Sequence, residues 1–321
     1  AGGALAVDRS KFSTALTDAL SNQSGAASIG RSANANGKRS LAVGYSAKAS
    51  DENSAAFGTY ATASAEGSIA LGESATAADK NASALGKSAS ASGISATAIG
   101  HKANAYGLSA TALGTFATSN DYATGVGELA NASGSISAAL GYKANAGGDS
   151  STAIGAEAFA SGTSAIAIGK SSNVNSSNAL ALGVSAKAKA DGAIAIGTSS
   201  VANKENAIAL GDAAKANNTK AIAIGSSADS QAQALVIGVE AKANASGACG
   251  IAIGYQSETN AQNAYAIGAQ AKAHGAQSIA IGEQAEANQG GQKAVAIGYQ
   301  AKANYAGSYA IGESVKTTRN G

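Results

Sequence analysis

Ala221-Ile222-Ala223-Ile224-Gly225 decides the fold of this chain. Small and large side chains alternate over the four residues before the glycine, and a two-residue period belongs to a β-strand. The same pattern stands at Ala165-Ile166-Ala167-Ile168-Gly169. Working outward from these two, a glycine preceded by a bulky apolar residue recurs twenty-one times, from Gly30 to Gly312. Sixteen of the twenty intervals are 14 residues, two are 13 and two are 16. A short fixed period is the signature of a solenoid, in which each repeat forms one coil stacked on the next. Alanine is the best helix former, but here it occupies alternate strand positions and the period prevails.

Each repeat holds a second alternation after its glycine, as in Tyr299-Gln300-Ala301-Lys302-Ala303-Asn304. Small residues fall three and five positions after the glycine, with polar ones between. Each coil therefore reads as two short strands joined by tight turns, with the glycine at a corner that needs positive φ or close packing. The residue two before the glycine is Ala in eighteen of twenty-one repeats, the exceptions being Ser28, Gly125 and Val236. A flat coil of this length has little room inside, so these small residues are expected to fill it. The residues one and three before the glycine then point outward.

The outward position next to the glycine is apolar in every repeat. Among its members are Ile99, Leu113, Ile154, Ile168, Leu182 and Ile196, followed by Leu210, Ile224, Ile253, Ile267, Ile281 and Ile297. Burying one such side chain is worth roughly 1.5–3 kcal/mol, and a large apolar surface marks association. The stripe predicts an obligate oligomer packed along its length.

Composition narrows the function further. There is no Pro, which would remove a ladder hydrogen bond. The net charge of +2 gives no reason to expect nucleic acid. No run of 18 apolar residues exists to span a membrane. A single Cys249 rules out an internal disulfide framework. His101 and His274 lie about a dozen coils apart, and no His pair or Cys–His pair has metal-ligand spacing. No catalytic residue, metal or cofactor is expected, and the chain does not read as an enzyme.

The run of Ser/Ala–X–Ala–Ile–Gly motifs from Ala26 to Gly312 resembles the head of the YadA-like trimeric autotransporter adhesins of Gram-negative bacteria. The resemblance implies an all-β fold, a left-handed parallel β-roll solenoid of about 21 fourteen-residue coils, with three rolls forming a homotrimer. It implies display at the bacterial cell surface, with the outer-membrane anchor lying outside this chain. It also implies adhesion to a host cell-surface receptor, such as a carcinoembryonic-antigen-related adhesion receptor, or to a matrix protein such as collagen, fibronectin or laminin. The collagen-binding motif of that family reads Asn-Ser-Val-Ala-Ile-Gly-X-X-Ser. No repeat here carries it whole; Asn53-Ser54-Ala55-Ala56-Phe57-Gly58 has the opening but ends in Ala61.

Residues 1–25 do not fit the repeat. Phe12, Leu16 and Leu20 share a helical face with Ser10 as a candidate N-cap, so this stretch reads as a cap, either a short helix or an irregular or strand-like one. Residues 26–312 form the head, and residues 313–321 read as the start of a neck. The 16-residue intervals at Gly247-Ala248-Cys249-Gly250 and Gln289-Gly290-Gly291-Gln292 read as bulges at a coil corner.

Two features stand out as candidate sites. Four residues after the glycine, Lys215, Asp229, Lys242, Glu258, Lys272, Glu286 and Lys302 alternate in sign. Stacked about 4.8 Å apart, such a row neutralises itself and reads as a register-setting, solubilising ladder. Around the 13-residue interval between Gly114 and Gly127, apolar residues take positions that are elsewhere polar. Phe116, Leu129, Phe159, Tyr106 and Tyr122 are the candidate receptor footprint, the competing reading being local packing between loops or protomers. Two rival functions are a passive spacer projecting another domain and an ice-binding solenoid suggested by Thr97, Thr111, Thr124 and Thr152 in one row; the row beside these threonines is aliphatic, so no thermal hysteresis is expected.

Overall fold

The computed structural model describes residues 25–244, 249–288, 290 and 292–318. The cap expected within residues 1–24 lies outside them, as do Gly247, Ala248, Gln289 and Gly291 of the two bulges.

The described chain is a parallel β-solenoid of about twenty turns, built from the two strands the sequence predicts. A three-residue leading strand ends at the marker glycine, as in Ala55–Phe57 and Ile222–Ile224. A two-residue trailing strand follows four positions after it, as in Thr62–Ala63 and Asp229–Ser230. The chain divides into two compact units, residues 1–146 and 147–321. Within each unit the strands pair in parallel with their equivalents in the next coil, as in Leu41↔Ala55↔Ile69 in one ladder and Lys48↔Thr62↔Thr76 in the other.

Two four-residue turns close a coil. In the turn after the glycine, the Ala61 N–H donates to the Gly58 carbonyl at 3.2 Å. In the loop after the trailing strand, the Ser68 N–H donates to Ala65 at 3.1 Å. The third residue of each turn has positive φ, as at Tyr60 (59°) and Gly67 (67°). These two corners form opposite edges of the roll, which we call the turn edge and the loop edge.

The marker glycine is fixed by conformation and by space together. Gly58 has φ +132°, and a Cβ there would sit 2.5 Å from the Gly72 carbonyl oxygen of the next coil. The interior is alanine, as expected: Ala42, Ala47 and Ala49 of one coil are fully buried. The largest side chains wholly inside are Val174, Val236 and Thr259. One exception to the alanine rule has a physical cause. The coil ending at Gly127 is one residue short, and a Cβ on Gly125 would meet the Thr118 carbonyl oxygen at 2.6 Å. Only glycine fits at that point, whereas the other 13-residue coil, ending at Gly238, buries Val236 in the equivalent place.

Candidate binding surface

The leading strands turn their bulky side chains outward, as the alternation requires. Leu113, Ile154, Leu182, Leu210, Ile267, Ile281 and Ile297 are exposed, and Ile99, Ile168, Ile196, Ile224 and Ile253 are half-buried. None of the twelve lies in the alanine core. The flank is therefore a continuous apolar row within each unit.

The charged row of the second unit is in register. Lys215 stacks on Asp229, Asp229 on Lys242, and so on to Glu286 on Lys302. Alternation in sign does not translate into a chain of ion pairs. Among the described residues of this row, Lys302 and Glu286 alone come within ion-pair range, at 2.7 Å. Asp229 instead accepts from Asn217 Nδ2 at 2.9 Å and Gln231 Nε2 at 2.8 Å, and Glu258 from Asn244 Nδ2 at 3.0 Å. His274 Nε2 lies 3.6 Å from Glu258.

Beside this row runs a feature not anticipated from the sequence. Gln256, Gln270, Gln284 and Gln300 occupy the third turn position in four successive coils. Their amides form a ladder: Gln256 donates to Glu240 at 2.8 Å, Gln270 to Gln256 at 3.1 Å, Gln284 to Gln270 at 3.2 Å and Gln300 to Gln284 at 2.8 Å. A groove of about 720 Å³ lies between the ladder and the charged row. Its lysines and glutamates alternate, so it offers no field for a polyanion. The signal for the ladder was present as glutamine two residues after four consecutive glycines.

The five candidate footprint residues do not form one cluster. Phe116 and Leu129 stand on the turn edge of the first unit, in adjacent coils, where the Leu129 N–H donates to the Thr115 carbonyl at 2.9 Å. Phe116 is 42% exposed, packs edge-on to His101 with ring centroids 5.3 Å apart, and has Lys102 Nζ 5.3 Å from its ring centre. Tyr106 and Tyr122 lie on the loop edge, each 55% exposed. Phe159 is half-buried on a trailing strand of the second unit, paired with Asn173. The sequence places all five at outward positions but does not resolve which edge each occupies.

The loop edge gathers partners that the spacing did not single out. Ile94, Leu108 and Ile136 join Tyr106 and Tyr122 there over four coils, with Ile136 65% exposed. The Tyr122 N–H donates to the Leu108 carbonyl at 2.7 Å, and the Ile136 N–H to Asp121 at 2.9 Å. The shortened loop is held by Asp121, whose Oδ1 accepts from the Leu108 N–H at 2.9 Å. Ile136 has φ 57°. Of thirty-six described non-glycine residues with positive φ, it alone is β-branched, and a β-branched residue is a clear outlier in that region.

A further aromatic group lies on the turn edge near the start of the first unit. Tyr45 and Tyr60 meet edge to face at 5.3 Å, with the Arg31 guanidinium 5.8 Å from the Tyr45 ring centre. Hydrogen bonding to Tyr45 raises the Tyr60 pKa above its ordinary value. Cys249 is exposed and unpaired. Among the described residues, no three His, Cys, Asp or Glu side chains gather as a metal set, and no helix is long and apolar enough to cross a membrane.

Near-identical coils with an alanine interior, an aliphatic flank and patterned edges define a parallel β-solenoid module. Comparison with known families assigns it. The YadA head domain repeat matches twelve stretches between residue 24 and residue 313, some of them overlapping, together well over half of the chain. The chain belongs to that family. Its role is adhesin-like, and the family is one of bacterial cell-surface proteins with structural and adhesive heads. Among solved structures, the chain is similar to the collagen-binding domain of the Yersinia adhesin YadA, with 26% identity over 44% of this chain and 73% of that one, at a TM-score of 0.34. No curated protein sequence matches.

Proposed function

We propose that this chain is an adhesin head that assembles as a homotrimer of left-handed rolls and attaches the bacterium to a host cell-surface receptor or a matrix protein. Full-length protein would hold it at the outer membrane through an anchor outside this chain. The observation that carries the reading is the family repeat running through both units, with an aliphatic side chain turned outward in coil after coil. A stripe of that length is costly in water and gains from a partner of equal length. Ligand contact then falls to the edges and the trailing-strand face, where residue identity varies from coil to coil.

A spacer role is favoured for the second unit by one observation. Its amide ladder, together with Asp229, Glu258 and the Lys302–Glu286 pair of the charged row, spends side chains on neighbouring coils. The test is binding of the purified head to host cells and to immobilised collagen, fibronectin and laminin. Saturable binding to at least one of these is expected. An assembled head that binds none of them would leave only the spacer.

A further inference from the structure

The first unit carries two apolar patches at one level of the stack. On the loop edge stand Ile94, Leu108, Tyr122 and Ile136, and on the turn edge Phe116 and Leu129. The leading strands between the two edges present Leu85, Leu113 and Leu140, all exposed. In the two coils from Gly114 to Gly141 all three sides thus carry exposed apolar side chains, whereas the turn edge of the two coils before them carries Lys87, and His101 with Lys102. Below this level the loop edge is ionic, with Arg39 paired to Glu52 and Lys80 Nζ 2.8 Å from Glu66.

A foreign partner would need one patch on one edge. Two patches on opposite edges of the same coils fit a different occupant, a second copy of this chain. Rotation about an axis parallel to the stack brings the loop edge of one copy against the turn edge of the next, with equal coils at equal height. Such a contact is heterologous and closes into a ring. It also meets a need created by the repeat. The aliphatic flank is nearly the same in every coil, so a slip of one coil, about 4.8 Å, leaves its contacts almost unchanged. Register in a repetitive structure must be set by features that do not repeat. Ile136 is such a feature, exposed and held in a conformation that costs an L-residue roughly 1–2 kcal/mol.

We infer that the coils between Gly114 and Gly141 form an apolar belt, by which the loop edge of one copy packs on the turn edge of the next and sets the axial register of the assembly. The inference rests on the assembled state proposed above.

The test is cross-linking in a Cys249→Ser background. One double variant carries Phe116→Cys with Tyr122→Cys, another Leu129→Cys with Ile136→Cys. Within one chain the paired positions lie on opposite edges, about 15 Å or more apart along the trailing strand, beyond the reach of a disulfide. A bond between them therefore joins two chains. With copper–phenanthroline as oxidant, at least one matched pair is expected to give covalent dimers and trimers. A pair offset by several coils, Ser46→Cys with Ile136→Cys, is expected to give none. Association by sedimentation without cross-linking of either matched pair, or cross-linking of the offset pair, overturns the belt and leaves the assembly intact. Sedimentation of the unmodified chain as a monomer overturns the assembly and the belt together.

Discussion

Gly58 shows how little freedom a single position retains. Its φ of +132° is open to glycine, and its missing Cβ leaves room for the Gly72 carbonyl oxygen. Replacement by alanine, Gly58→Ala, is expected to cost about 1–3 kcal/mol through backbone strain, with the steric clash adding to it. Urea denaturation should show the midpoint falling; an unchanged midpoint would mean that the corner adjusts at no cost. The period of such glycines was legible in the sequence because each is required twice over. The positive φ of the turn residues was not. Serine, lysine, glutamine, phenylalanine and leucine all occupy it, at Ser46, Lys102, Gln256, Phe116 and Leu129, so no residue type announces it. The strain at Ile136 becomes visible only when its backbone is seen.

At the scale of elements, strands of two and three residues are far too short to persist alone. They persist because each ladder continues in the next coil with the same register. Side-chain ladders add to this, and the glutamine row from Gln256 to Gln300 is the clearest. Gln270→Ala removes one amide that donates to Gln256 and accepts from Gln284. A loss of about 1 kcal/mol is expected, from the usual net worth of such bonds. Equilibrium denaturation of the variant checks it, and a change within error would make the ladder decorative. Strand positions and their facing were readable from Ala-Ile-Ala-Ile-Gly, because period two fixes which side chains turn inward. The pairing of the charged row was only half readable. Lys242 stacks between Asp229 and Glu258 in the expected register, yet neighbouring Asn and Gln side chains take the carboxylates first, since amides one position aside reach them directly.

For the whole molecule, interior and exterior contribute unequally. Each buried alanine methyl is worth about 0.8 kcal/mol, while a covered flank leucine or isoleucine is worth roughly 1.5–3 kcal/mol. Assembly therefore supplies stabilisation that the alanine core cannot. Leu210→Glu places a charge in the middle of the flank, and it is expected to weaken association at least tenfold in sedimentation equilibrium. Equal association by the variant would remove the flank from the interface. The two corners of the coil also differ in a way that reaches beyond stability. From marker glycine to trailing strand the count is constant: Thr118–Ser119, Asp229–Ser230 and Lys242–Ala243 all begin four residues after their glycines. The four changes of length, to 13 or 16 residues, fall on the other corner, between Ser119 and Thr124, Ser230 and Leu235, Ala243 and Ile251, and Ala287 and Val295. One edge is closed to insertion and the other is open to it. A lineage can thus lengthen, shorten and re-dress a single side of the solenoid, generation after generation, without disturbing a hydrogen bond of its ladders.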